Sequence, residues 1–218
     1  MEHPYPGSLG KYSWILNPNF MTKTNIWSYI ERVFSDDECD KIIEYGSVKY
    51  GDLRKKAMVG NRIELGDEAV DNRQRESEIV MIPNTDDEVH WVFQRLCSAV
   101  NSVNKQIYEY DLRAIESIQY TTYDFSYKGF YGKHTDTRVV SDPYGIFSRK
   151  LSLSIQLSDP NDYEGGEVLL HLGGEPHIAS KLRGSVTFFP SFVLHEVTPV
   201  TKGRRDALVL WCVGPEFK

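Results

Sequence analysis

The 218-residue chain carries 25 Lys and Arg against 31 Asp and Glu, a formal net charge of −6, and 40% hydrophobic residues. That length allows one domain with trimmings or two small ones, and it suffices for a sizeable core. The acidic balance argues against a protein that binds along phosphate backbones, so no nucleic-acid partner is expected.

The three cysteines, Cys39, Cys97 and Cys212, are far apart and odd in number. They make neither a disulfide framework nor a CxxC zinc knuckle, and a reducing, cytoplasmic setting is expected. The first twenty residues have no basic or apolar leader pattern. The longest apolar run, Ala207 to Val213, is far shorter than the roughly 20 residues of a membrane-spanning helix, so no membrane partner is expected.

In chain order, residues 1–24 are rich in Pro, Gly, Asn and Tyr and read as an irregular arm. Ser35-Asp36-Asp37-Glu38 is a capping box, and the helix it opens runs through Cys39, Ile42 and Ile43 to Gly46. Residues 51–78 are unusually polar. They read either as a solvated loop or as a mobile loop over a site. Thr85-Asp86-Asp87-Glu88 is a second capping box. After it, Val89, Val92, Phe93, Leu96, Val100, Val103 and Ile107 form one apolar stripe, which requires a sheet to lie against.

From Leu112 the pattern changes to short strands, over 113–123, 130–136, 149–158, 166–171, 176–180, 185–189, 193–200 and 206–213, punctuated by Gly, Pro, Asn and Asp. Helices first and a β-core after them give an α+β layout, mainly β, with an antiparallel sandwich or jelly-roll barrel.

The chemistry begins at His134-Thr135-Asp136. On a strand, residues i and i+2 share a face, so imidazole and carboxylate project side by side. With His195 from another strand-like stretch they make two His and one carboxylate, the facial triad of non-haem Fe(II) oxygenases. Zinc is the competing metal, although zinc hydrolases of this ligand type usually carry HExxH on a helix, which this chain lacks. Arg205 lies ten residues after His195, past a turn expected at Thr201-Lys202-Gly203. Strand parity places it with Ala207, Val209 and Trp211. It is either a surface Arg beside Arg204 or a buried guanidinium that needs a carboxylate partner. Leu151, Leu153, Ile155 and Leu157 line one face of their strand. Ser152, Ser154 and Gln156 line the other, which faces either water or the triad's cavity. Tyr123 offers a phenol on the entering strand. Glu164-Gly165-Gly166-Glu167 is a tight turn where Gly supplies positive φ. His3, His90, His171 and His177 are left as surface or core residues.

Together, His134-Thr-Asp136, His195 and Arg205 resemble the prolyl 4-hydroxylase-like branch of the 2-oxoglutarate- and Fe(II)-dependent dioxygenases. The likeness extends to Phe34-Ser-Asp-Asp-Glu, to Arg75-Glu-Ser77, and to the run Gln119…Tyr123…Gly129…Tyr131…His134, which has a slightly long Tyr-to-His gap. It continues through Glu164-Gly-Gly-Glu167 and the string from Phe189-Pro-Ser through His195 to Arg205, which resembles the bacterial PKHD-type hydroxylases. Most of residues 30–214 is covered. The resemblance implies a distorted double-stranded β-helix, cupin-like, with iron held by His134, Asp136 and His195. Arg205 would grip the distal carboxylate of 2-oxoglutarate, helped by Tyr123 and Ser152. Collagen-type enzymes place Lys where Arg205 stands, which weakens the transfer of a collagen-like substrate.

The implied organisation is an arm at 1–24, a helical support region at 25–111 with a substrate loop at about 60–78, and a catalytic β-core at 112–215 forming one globular unit with that support. The implied reaction is hydroxylation of an unactivated C–H bond using Fe(II), 2-oxoglutarate and O2, with ascorbate as supporting reductant. The expected partner is a peptide or protein presenting a prolyl residue to a mouth lined by Trp211, Tyr131 and Tyr127. Two alternatives stay open: hydroxylation of a free amino acid or small molecule, and a non-catalytic β-barrel that binds metal or peptide.

Overall fold

Alternation within one long strand sets the layering. The computed structural model describes residues 26–57, 73–142 and 145–216. The elements in these residues are β1 (Ser28–Ile30), α1 (Asp36–Glu44), β2 (Lys55–Lys56), β3 (Arg75–Glu76), β4 (Glu78–Ile82), α2 (His90–Val103), β5 (Ala114–Asp124), β6 (Phe130–His134), β7 (Val139–Asp142), β8 (Gly145–Gln156), β9 (Tyr163–Gly165), β10 (Val168–His171), β11 (His177–Ile178), β12 (Val186–Pro190), β13 (Leu194–Val197) and β14 (Val200–Gly214). The arm at 1–24 and positions 60–72 of the expected substrate loop lie outside the described residues.

Leu151, Leu153 and Ile155 of β8, with Leu157 just past its end, are fully buried in one cluster with Ile42 of α1 and Val92, Leu96, Val100 and Val103 of α2. Each such side chain contributes about 2 kcal/mol on leaving water. The apolar face of β8 and the stripes of both helices therefore find each other, and the polar face of β8 turns toward the second sheet.

The larger sheet runs β1-β12-β8-β14-β5-β4-β2, with β7 on β8 and β9 on β14. The smaller runs β11-β10-β13-β6-β3. All recorded pairings are antiparallel. The two sheets form a double-stranded β-helix, as the motif string implied. A second, smaller core of Tyr123, Val168, Leu170, Phe189, Val193, Val197 and Val200 fills one end between them.

The capping box at Ser35 is present in full: the Ser35 hydroxyl accepts from the Glu38 amide, and Glu38 accepts from the Ser35 amide. At the second helix the expected box at Thr85 does not form. Asp86 caps instead, accepting from the Glu88 amide at 2.9 Å, and a tight turn at Asp87–Val89 delays α2 until His90. Nor does a turn at 201–203 separate His195 from Arg205. β14 is continuous from Val200 because β9 pairs with Val200, Lys202 and Gly203; the register shifts between Val200 and Lys202, and Gly203 has φ +69°. The Gly165-Gly166 turn is as expected, with φ +76° and +62°. A side chain on Gly165 would strike the Pro199 carbonyl.

Candidate active site

His134 and His195 are direct cross-strand partners on β6 and β13, so their side chains leave the small sheet on the same face. Asp136 lies just past the end of β6 rather than on the expected longer strand. It is held there by its amide, which donates to the Ser191 carbonyl at 2.9 Å. Each imidazole is fixed twice. The Nδ1 of His134 faces the Gly132 carbonyl and the Nδ1 of His195 the Val193 carbonyl, both at 2.8 Å. These contacts place the proton on Nδ1 and leave both Nε2 lone pairs free. The ring of Tyr131 stacks on His134 at 3.5 Å, and Phe189 lies against His195 at 4.7 Å.

The free nitrogens point at one carboxylate. His134 Nε2 is 3.7 Å from Asp136 Oδ1, and His195 Nε2 is 3.5 Å from Asp136 Oδ2. Both distances are too long for good hydrogen bonds, and Oδ2 is buried with no hydrogen-bond partner. Burial, reinforced by the neighbouring His195, pushes the pKa of His134 down to about 4, so the ring is neutral near pH 7. Burial opposes ionisation of Asp136, yet the two imidazoles hold its pKa below the ordinary carboxylate range. Two imidazoles with free Nε2 atoms and an orphaned carboxylate oxygen, all within 4.8 Å of one another, are a donor set that a divalent cation fits.

Arg205 projects into the same cavity, which Tyr123, Ser154, Val168, Phe189, Val197 and Trp211 also line. It is 3% exposed. Its Nε donates to Gln156 Oε1 at 3.1 Å, and among the described residues no carboxylate is within ion-pair distance of it. The neighbouring Arg204 points the other way and pairs with Asp206 at 2.9 Å. Tyr123 stands beside the clamp position, its ring centroid 5.6 Å from the Arg205 guanidinium carbon. Ser152 does not line this cavity. Its hydroxyl lies 3.0 Å from that of Ser191 and also hydrogen-bonds Asp136, so it supports the triad from behind while Ser154 lines the wall. Gln156 was visible only as one polar residue on an alternating face, and its contact with Arg205 needed the β8–β14 register.

Of the expected aromatic mouth, Trp211 and Tyr131 face the site, whereas Tyr127 lies in a separate surface groove with Glu76, Lys128, Phe130 and Pro199. Arg75 covers Tyr131 at 4.3 Å and donates from Nε to Ser77 Oγ at 2.7 Å, which ties the Arg-x-Ser stretch to the site. His171 pairs with Glu196 at 2.9 Å, away from the triad.

With this geometry in place, residues 118–213 match the family model described as "2OG-Fe(II) oxygenase superfamily". The matched segment contains the triad and Arg205, and the resemblance read from the motif string holds. Among particular relatives, a PKHD-type hydroxylase of Shewanella baltica is 36% identical over 81 residues, which is 37% of this chain and 36% of that protein. The chain thus matches little more than a third of the length of that relative. Two solved structures share the fold. One is a Pseudomonas putida prolyl-4-hydroxylase, with TM-score 0.67 and 18% identity over 88% of this chain and 95% of that one. The other is a Trichoplax adhaerens prolyl hydroxylase in complex with a hypoxia inducible factor peptide fragment, with TM-score 0.68 and 16% identity over 87% and 84%.

Proposed function

We propose that the protein is a 2-oxoglutarate- and Fe(II)-dependent dioxygenase that hydroxylates prolyl residues in a peptide or protein. The observation that carries the reading is the meeting in one cavity of the His134–Asp136–His195 cluster and a buried Arg205 that has no acidic partner among the described residues. A site that only bound metal would have no use for that desolvated guanidinium, whereas a dicarboxylate co-substrate would satisfy it.

His134, Asp136 and His195 would hold the iron, which when bound with 2-oxoglutarate supplies O2 activation and the oxidising power for C–H hydroxylation. The chain's own part is arrangement. The carbonyls of Gly132 and Val193 keep the imidazoles in the ligating tautomer. Asp136 supplies the negative charge. Arg205 orients the distal carboxylate of 2-oxoglutarate with Gln156 fixing its Nε, and Val168, Phe189 and Val197 exclude water around the co-substrate. A prolyl substrate is supported by the likeness to PKHD-type and prolyl hydroxylases, one of them bound to a peptide.

The test incubates the protein with Fe(II), 2-oxoglutarate, ascorbate and a library of proline-containing peptides, read by mass spectrometry. A one-oxygen gain on proline, absent in Asp136→Ala, is the expected result. Turnover of 2-oxoglutarate stimulated by a free amino acid, with every peptide unmodified, would replace the prolyl substrate with a small one.

A further inference from the structure

The triad's cavity continues past Asp136 into an open groove of about 370 Å3, and Arg75, Gln119, Tyr131, Asp136 and Trp211 belong to both. The groove lies where the larger sheet overhangs the smaller: Ile79 and Met81 of β4 and Ser117 and Gln119 of β5 lie along it. Its charge runs opposite to that of the chain. Four cations, Lys55, Arg75, Arg138 and Arg149, face two acids, Glu116 and Asp136.

Those two acids are already committed. Asp136 faces the imidazoles. Glu116 takes Arg149 in a two-pronged grip at 2.6 and 2.8 Å, and the Arg149 guanidinium lies flat on Trp211 at 3.8 Å. Arg75 is occupied by Ser77 and the Tyr131 ring. Arg138 makes only a long ion pair to Glu116, at 4.0 Å, and about a third of its side chain is exposed to the groove. Lys55 is exposed on the rim and, among the described residues, has no acid within ion-pair distance. Among the described residues the groove therefore presents an excess of positive charge beside the triad, with the exposed part of one guanidinium and one ammonium available to a ligand.

We propose that this groove reads charge in the substrate: an Asp or Glu side chain close in sequence to the residue presented at the triad places its carboxylate on Arg138 and Lys55. The proposal rests on the dioxygenase reading above and adds an acidic neighbour to the substrate's description. Ile79, Met81 and Trp211 would carry the aliphatic part of the acidic side chain, and Arg75 adds its charge to the field.

The experiment uses fluorescent heptapeptides with a central proline flanked by Glu, Gln, Lys or phosphoserine, titrated by anisotropy against the full-length protein loaded with Mn(II) and 2-oxoglutarate. The Glu peptide should bind about tenfold or more tightly than its Gln isostere, as expected for one charge-assisted contact, and the Lys peptide more weakly still. Arg138→Glu, checked for folding by circular dichroism, should erase or invert that order, and Arg138→Gln should level it. Equal binding of the Glu and Gln peptides by the wild type overturns the proposal without any variant. Binding of phosphoserine more than tenfold above Glu overturns it in favour of a phosphopeptide ligand. Calorimetry of 2-oxoglutarate uptake on the same sample separates the two readings. Uptake without charge selection removes only this inference, and charge selection without uptake removes the dioxygenase reading instead.

Discussion

Replacing Arg205 by Met tests the co-substrate clamp and the logic of its burial together. The guanidinium is 3% exposed and holds one neutral partner, Gln156. Hydrogen bonds to charged groups contribute about 1.5–3 kcal/mol each, so a two-pronged grip on a carboxylate is worth about 3–5 kcal/mol. At 1.4 kcal/mol per tenfold, the KM for 2-oxoglutarate should rise from roughly 10²-fold to several thousandfold, measured as succinate formed against 2-oxoglutarate concentration. Arg205→Lys should fall between, because one ammonium cannot reproduce the fork. Stability should move the other way. Removing a desolvated cation that lacks an acid partner costs the fold little, so the Tm of Arg205→Met should match or exceed wild type. Arg204→Met is the control. It strips Asp206, which is 5% exposed, of an ion pair and hydrogen bonds, and with Arg204 itself partly solvated the loss should be about 1–2 kcal/mol, a fall of a few degrees in Tm. An unchanged KM in Arg205→Met, or a fall in its Tm as large as that of Arg204→Met, would refute the clamp and make Arg205 a structural residue.

Three further outcomes follow from the same coordinates. Asp136→Ala should abolish 2-oxoglutarate turnover and weaken Mn(II) binding in calorimetry while far-ultraviolet circular dichroism stays native; retained turnover would dissolve the triad. Gly46→Ala sets a methyl 2.3 Å from the fully buried Tyr120 ring, and overpacking of this kind should cost about 1–3 kcal/mol in urea unfolding. Ser35→Ala removes the capping hydroxyl of α1 and should cost about 1 kcal/mol by the same measurement, with kinetics unaffected.

Much of the site was legible because strands carry a period of two. Parity put Arg205 with Val209 and Trp211, and all three line the cavity together with Ser154 from the polar face of β8. Parity does not say which of several like residues on a face reaches a ligand. Ser154 lines the cavity wall, whereas the hydroxyl of Ser152 meets Ser191, thirty-nine positions away, and Asp136. The turn expected at 201–203 failed for a related reason: its Gly and polar residues are turn formers locally, but β9 supplies a pairing partner that only the tertiary fold brings there. Thr85 lost the cap to Asp86, whose carboxylate also accepts from Tyr50, 36 residues upstream. The arrangement of cations in the groove had no signal in composition, since the chain as a whole is acidic.

The direct pairing of His134 with His195 across β6 and β13 makes the site sensitive to insertion in a way that substitution does not reveal. Adding one residue within either strand would turn that strand's imidazole to the outer face and bring a neighbour such as Leu194 or Glu196 inward, with composition almost unchanged. Length variation that keeps the site intact is thereby confined to connections that do not set this register. Any redesign of the groove's side chains must accordingly keep every residue count from Phe130 to His134 and from Leu194 to Val197 fixed.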